Sequence, residues 1–394
     1  MGQTWIAIGL GIGYAVSWIF MAPRLRRFSI AANDSITIPQ YLTNRFLSKN
    51  KSLQILSAII FLVAYTIYAA SSIKACGTLF NTVMDIDPTV AMYIAAFIIV
   101  AYTFLGGFSA VCWTDFFQGM IMLAALLIAP LFALALAKAG DGAATGAALP
   151  DGFFNFFTTP QDIISGLGWG LGYFGMPHII IRFMSLKSEK ELRKSSVIGI
   201  SWTTIILIMS ALTAIAGRLY LGEIEDSSTV FITMVRRIFP ALVSGLLLSA
   251  ILSAAMSTAD SQLLAASSAF ASDVYKPVIR KKASDSEMLW AGRIVVIVIA
   301  VVALMIASDP NSGSIMGLVE NAWGVFGAAF GPVILLSLFW KRLTFGGTVA
   351  GIAVGAAVDI LWLVFLSSTD IYEIVPGFAA GLLAAVVVSL LSKG

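Results

Sequence analysis

Apolar runs long enough to cross a bilayer, about 17–25 residues each, recur along the whole chain and are separated by short polar segments. Eleven such runs can be marked, near residues 4–22, 53–76, 88–106, 110–137, 161–181, 196–217, 240–271, 287–308, 314–339, 346–366 and 372–392. A transmembrane barrel would show alternating strands of about ten residues instead, and that alternation is absent. The pattern predicts an all-α integral membrane protein, residues 1–394 forming one transmembrane domain. Composition agrees: the chain is 59% hydrophobic and only 11% charged, with a mean hydropathy of +0.93. Water-soluble domains carry about 25% charged residues.

Charge changes the picture in two ways. A net charge of +3 is too small and too scattered for a nucleic-acid footprint, so nucleic acid is excluded as a partner. The charges also alternate between loops. Basic residues cluster at Arg24, Arg26, Arg27, Arg45, Lys49 and Lys51, at Arg182–Lys194, at Lys276–Lys282, and at Lys341 and Arg342. Acidic residues occupy the loops between, at Asp85 and Asp87, Asp141 and Asp151, Glu223–Asp226, Asp309, and Asp370 and Glu373. The positive-inside rule makes the basic set cytoplasmic, with Met1 outside and Gly394 inside. Arg236 and Arg237 depart from the alternation, and residues 228–240 read as a short external amphipathic helix. Cys76 and Cys112 form no CxxC pair, and His178 is the one histidine. Neither a disulfide framework, nor a zinc site, nor triad chemistry is indicated, and the protein is not read as an enzyme.

Two spans are interrupted by chemistry. In 240–271 the apolar run contains Ser257, Thr258, Asp260 and Ser261. An aspartate at the centre of a membrane helix costs roughly 2.5–3.5 kcal/mol, so something cationic or hydrogen-bonding must compensate. Ser257, Asp260 and Ser261 stand at i, i+3 and i+4 and share a helical face. A face of hard oxygens suits a small hard cation. In 161–181, glycines occupy 166, 168, 170, 172 and 175, and Pro177 follows. Gly costs about 1 kcal/mol and Pro about 3 inside a helix, so this span is expected to unwind. Unwound backbone at membrane depth lines a cavity or is buried in protein, and such breaks build transporter binding sites. Trp169 and Tyr173, four apart, would present two rings to one side of a helical remnant. The alternative is close helix packing, since Gly166 and Gly170 have small-xxx-small spacing.

Four separated segments carry a family resemblance. Gly168-Trp-Gly-Leu-Gly-Tyr-Phe-Gly-Met-Pro-His178 with Arg182-Phe183, Tyr102-Thr-Phe-Leu-Gly-Gly-Phe-Ser-Ala-Val-Cys-Trp-Thr-Asp115, Met256-Ser-Thr-Ala-Asp-Ser-Gln-Leu-Leu264 and Asn321-Ala-Trp-Gly-Val-Phe-Gly-Ala-Ala-Phe-Gly-Pro332 resemble the sodium:solute symporter family, nearest its sodium/proline branch. The resemblance runs over essentially the whole chain. It implies a five-plus-five inverted-repeat (LeuT-type) transporter fold that couples sodium entry to solute uptake. The first span then resembles the family's second core helix, the broken span its sixth, and the Ser257 span its eighth. On that alignment the leading helix and first core helix, which contributes ligands in the family, are expected to be missing before Trp5.

The resemblance also implies site residues. The main sodium site falls on the Ala254 carbonyl with the Ser257 and Thr258 hydroxyls; the alternative for the hydroxyl pair is bonding back to its own helix. A second sodium site falls on Asp115, Ser257, Asp260 and Ser261, against the alternative that Asp260 simply bonds a neighbouring helix. Substrate contacts fall on Trp169, Tyr173 and Pro177, with Tyr68 as a weaker candidate. His178 is expected to orient the break rather than ligate metal, Lys74 to reach toward the membrane edge, Trp323 and Phe326 to pack, and Arg182–Lys194 to be a solvated cytoplasmic face. The implied function is sodium-coupled symport of proline, or a similar small amino acid, by alternating access in the cell (inner) membrane, with sodium, proline and the lipid bilayer as partners. The alternatives are a symporter-like sensor domain of a signalling protein, or a sodium symporter for a sugar, sialic acid or pantothenate.

Overall fold

The structure, a computed structural model, describes residues 4–48, 50–140, 149, 153 and 155–392. The expectations for Met1, Lys49, Asp141, Asp151 and Gly394 lie outside these residues. In chain order the helices are α1 (Thr4–Val16), joined through a π turn at Ser17–Met21 to α2 (Ala22–Ala31), then α3 (Ile38–Arg45), α4 (Ser52–Met84) and α5 (Pro88–Ala139). Next come α6 (Pro160–Gly168), α7 (Pro177–Met184), α8 (Glu189–Leu221), α9 (Val230–Ile238) and α10 (Ala241–Ala269), which a π turn extends to Ile279. The chain closes with α11 (Asp285–Ser308), α12 (Ile315–Phe339), α13 (Phe345–Phe365) and α14 (Ile374–Leu391). Polar residues at the loop edges start these helices. Asp87 accepts from the amides of Thr89 and Val90 behind Pro88, and Thr159 forms a capping box with Asp162. Ser188, Ser284, Ser314 and Thr344 each accept one first-turn amide. Such caps satisfy N–H groups that have no partner inside their own helix.

Among the described residues ten helices are long and apolar enough to cross a membrane, and the remaining expected span, 161–181, is the one that breaks. Two of the ten share α5, a single helical run of 52 residues. Its apolar windows are Pro88–Gly106 and Val111–Ala139, matching the two spans expected there. Phe132 packs on Phe239 with centroids 5.4 Å apart, and Phe239 faces Leu79–Met84 across one cavity. Pro88 leaves that same end of α4. Tyr102 and Asp115 of α5 both reach α10.

The basic and acidic loops sort to opposite ends. At one end Arg24 donates to the Leu338 carbonyl and Thr37 donates to Asp273. At the other, Lys74 extends to Ser312 and Gly313, and Ser165 holds Asp370. Arg236 donates to the Thr82 carbonyl from α9, which buries Ile232 and Val235 as an amphipathic helix would. Between the ends, α12 is the central helix. Its most apolar window is 78% buried, against 11% for the window in Lys190–Leu221 on the periphery.

The span 161–181 does break. After α6 the chain tightens into a 3₁₀ turn at Trp169–Phe174, opens at Gly175 and the extended Met176, and restarts as α7 at Pro177. Proline disfavours a helical residue before it and suits a first helical turn. Close packing operates at the same place. A Cβ on Gly9 would stand 2.2 Å from the Gly166 oxygen, and one on Gly13 would stand 2.3 Å from the Gly170 oxygen. On the other side a Cβ on Gly175 would stand 2.2 Å from the Phe326 oxygen. Both readings of the glycines hold, because a broken helix needs neighbours close enough to bury its backbone.

Gly13→Ala is expected to cost about 1–3 kcal/mol, as overpacking does, read as a lower melting midpoint of the purified protein. Gly11 on the same helix has only a Leu207 methyl 3.6 Å away, so Gly11→Ala should leave the midpoint within a degree or two. Equal effects at the two positions would show that the backbone contact is not what matters.

Candidate functional site

The hydroxyl residues of α10 organise the centre of the bundle. Ser257 and Thr258 donate to the Ala254 carbonyl at 3.3 and 2.7 Å, the back-bonding open to hydroxyls within a helix. Their hydrogens are thereby committed, and their oxygen lone pairs remain as acceptors. Both side chains line a cavity of about 300 Å³ with Tyr68, Asp115, Trp202 and Ser261. The Ala254 carbonyl is occupied by the two hydroxyls.

One turn on, Ser261 donates to Asp115 Oδ2 at 3.2 Å. The Arg182 guanidinium reaches the same oxygen at 3.3 Å and the Ser261 hydroxyl at 3.2 Å. Arg182 was expected to be part of a solvated face, and its side chain is indeed 59% exposed. It is also the cation paired with Asp115 where a second sodium was expected. The trio lies on the wall shared by the central cavity and a second one of about 320 Å³, which adds Thr37 and Cys112.

Asp260 parts from this group. It is fully buried, lines neither of these two cavities, and accepts from the Tyr102 hydroxyl at 2.7 Å. Successive α-helical residues are about 100° apart. Ser257 and Ser261 therefore face the cavity while Asp260 faces α5. Of the four residues expected at a second sodium site, the structure brings Asp115 and Ser261 into contact, places Ser257 on the same cavity, and turns Asp260 away.

The aromatic residues of the break also diverge. Residues of a 3₁₀ turn are about 120° apart, so Trp169 and Tyr173 do not share a side. Trp169 packs on Tyr372 at 5.1 Å and Tyr173 on Tyr14 at 5.0 Å. Trp323 touches both, at 6.3 and 5.1 Å, and its indole N–H donates to the Trp169 carbonyl at 2.9 Å. Pro177 is buried at the start of α7. Tyr68, the weaker substrate candidate, is the one that lines the hydroxyl cavity. His178 stands beside it, at 6.4 Å from Tyr68 and 6.0 Å from Tyr65. Among the described residues no group of His, Cys, Asp or Glu is arranged to hold a metal ion.

Sequence reasoning missed Tyr102 as the partner of Asp260, Arg182 as the partner of Asp115, and the buried acids Asp359 and Glu373. Asp359 was detectable, since it interrupts an apolar run as Asp260 does. Tyr102→Phe is expected to destabilise the protein by about 1–3 kcal/mol, the cost of a buried group left unpaired. In an Asp260→Ala background, where the acceptor is gone, the same change should cost much less. Additive melting shifts in that double-mutant cycle would refute the coupling.

The profile of the Sodium:solute symporter family matches residues 1–355. The high-affinity proline transporter PutP of Bacillus subtilis is 44% identical over 400 residues, covering 100% of this chain and 84% of that protein. The sodium/proline symporter of Haemophilus influenzae is 44% identical over 410 residues, covering 99% of this chain and 81% of that one. A solved Na+-coupled sialic acid symporter, substrate-bound and outward-open, superposes over 99% of this chain and 84% of its own with a TM-score of 0.77 at 20% identity. That likeness shows the fold, the LeuT-type helical transporter architecture. The chain is a multi-pass membrane protein and belongs to the sodium:solute symporter family.

Proposed function

We propose that this protein is a sodium-coupled proline symporter that works by alternating access as a single transporter domain. The reading rests on one observation: in a chain 40–44% identical to proteins named as proline transporters or sodium/proline symporters, Ser257, Thr258, Ser261 and Asp115 converge on one cavity. Sodium is assigned to Ser257 and Thr258, whose lone pairs face that cavity, with the Ala254 carbonyl behind them. A second cation is assigned to Asp115 and Ser261. Arg182 occupies that position here, and with its side chain 59% exposed the ion pair is worth no more than about 1 kcal/mol. An entering cation displaces it at small cost. Asp260 is left out of that site in favour of its bond to Tyr102.

Proline is assigned to the space between Tyr68 and the broken helix, with Trp169, Tyr173 and Pro177 of the break as its proposed further contacts. An apolar and aromatic lining suits a pyrrolidine ring, and helix ends at the break suit its carboxylate. The protein is placed in the cell membrane with its basic loops cytoplasmic, residue 1 outside and the C-terminus inside. Moving one sodium charge down 100 mV supplies about 2.3 kcal/mol, roughly 50-fold accumulation at 1.36 kcal/mol per decade.

Labelled proline should enter proteoliposomes containing the protein only when sodium is supplied. Ser257→Ala combined with Thr258→Ala should raise the sodium concentration for half-maximal uptake at least about tenfold, equivalent to 1.4 kcal/mol of lost cation binding. Uptake indifferent to sodium sinks the reading. An unchanged sodium requirement in the double variant sinks the site assignment alone.

A further inference from the structure

The most unusual electrostatics of the molecule lie at the end of the broken helix away from Arg182. A cavity of about 640 Å³ opens there between α6, α12 and the segment joining α13 to α14. Four carboxylates line it, Asp162, Glu320, Asp370 and Glu373, and no lysine or arginine does. The walls are tied together. Ser165 donates to the Asp370 carbonyl at 3.2 Å and accepts the Tyr372 amide at 3.0 Å, and the Tyr372 hydroxyl donates to the Glu320 carbonyl at 2.9 Å.

Two acids here have no ordinary reason to be buried. Glu373 is 6% exposed, and its Oε1 has no hydrogen-bond partner although the side chain lines the cavity. Asp359 behind it is fully buried, with neither carboxylate oxygen partnered. The fold makes room for both: a Cβ on Gly324 would stand 3.0 Å from Asp359 Oδ1 and 3.4 Å from Glu373 Cγ. None of the ion pairs among the described residues involves these acids. Buried carboxylates persist when they are paired, hydrogen-bonded or neutralised. Here no ion pair among the described residues serves either acid, and Glu373 Oε1 and both Asp359 oxygens lack a hydrogen bond, so their charge is met either by a proton or by a cation that enters through the cavity.

We propose that this cavity is a separate binding site for a monovalent cation of sodium's size, held by Glu320 and Glu373 with the charge of Asp359 behind them. The carboxylates are too dispersed to coordinate a divalent metal, which wants several oxygens within about 2.6 Å. A monovalent ion that keeps part of its water needs only the field they create. Occupancy would be felt at the break, because Tyr372, adjacent to Glu373, packs on Trp169 at 5.1 Å.

Protons compete for the same position. Burial pushes the Glu373 carboxyl up to about 7, and Glu320 adds to the rise. Every titratable group facing it is acidic or phenolic: Asp162 from α6, Glu320 from α12, Asp359 from α13, and Asp370 and Tyr372 from the connecting segment. A folded value above the ordinary 4.5 means that stability is greatest at low pH. It is lost as pH rises to about 7, unless a cation replaces the proton. Sodium should therefore stabilise the protein through this site at pH 8 and hardly at all at pH 5.

The test uses the purified protein with Ser257→Ala, Thr258→Ala, Asp115→Asn and Ser261→Ala silencing both cation positions of the central cavity. Sodium chloride is compared with choline chloride at equal ionic strength. The expected result is a sodium-induced rise of several degrees in the melting midpoint at pH 8, largely absent at pH 5, and abolished by adding Glu320→Gln and Glu373→Gln. No sodium effect in the silenced background, or one that survives the glutamine changes, overturns the proposal; so does a response to pH alone. If the silenced background does not fold, equilibrium binding of radioactive sodium to wild type and to the Glu320→Gln/Glu373→Gln variant at pH 8 decides. At least one fewer ion in the variant supports the site, and equal stoichiometry overturns it. Neither readout depends on proline being the transported solute.

Discussion

In a lipid environment every backbone amide and carbonyl has to find its partner inside the protein, and this chain interrupts a helix at membrane depth. The break between Trp169 and Pro177 is tolerable only because other backbones come up against it. Gly9 and Gly13 let α1 lie directly on Gly166 and Gly170, and Gly175 lets α12 lie on the far side. Trp323 then donates its indole N–H to the freed Trp169 carbonyl. The central position of α12, the tilt of α1 onto α6, and the aromatic cluster of Trp169, Tyr173 and Trp323 all follow from that requirement. A Cβ at any of these contacts would push apart the helices that make the break possible.

The carboxylates are compensated in three ways, and the differences separate structure from function. Asp260 is fully buried and bonded to Tyr102, so it acts as a fastening between α10 and α5. Asp115 is paired with a mostly exposed arginine and a serine on a cavity wall, an arrangement that can be exchanged at little cost. Glu373 and Asp359 have no charged partner among the ion pairs of the described residues and retain unpaired oxygens, which is what suits the cavity beside α6 to a cation.

Much of this was legible in the chain. Apolar run length is set by bilayer thickness, so the spans could be marked directly, and all of them correspond to helical segments. The interruption at 166–177 was visible because Gly and Pro are costly in helices whatever their surroundings. The pairing of Ser257 with Ser261 on one cavity followed from their spacing of four. Other details depended on local geometry that periodicity does not carry. Trp169 and Tyr173 would share a side in an α-helix and do not in the 3₁₀ turn that forms. Asp260 is only one position from Ser261, yet about 100° of rotation takes it to a different neighbour.

Taken alone, the sequence determined the helical membrane class, the spans, the sorting of basic and acidic loops, the broken helix and, through its motifs, the family. These are properties of single segments measured against a fixed environment, bilayer thickness and the cost of exposing polar groups to it. Only the tertiary structure decided which partner each buried polar group receives: Tyr102 for Asp260, Arg182 for Asp115, none among the ion pairs for Glu373. Those pairings join residues as far as 158 positions apart. They arise from helix packing, which brings together side chains whose spacing along the chain carries no trace of the contact.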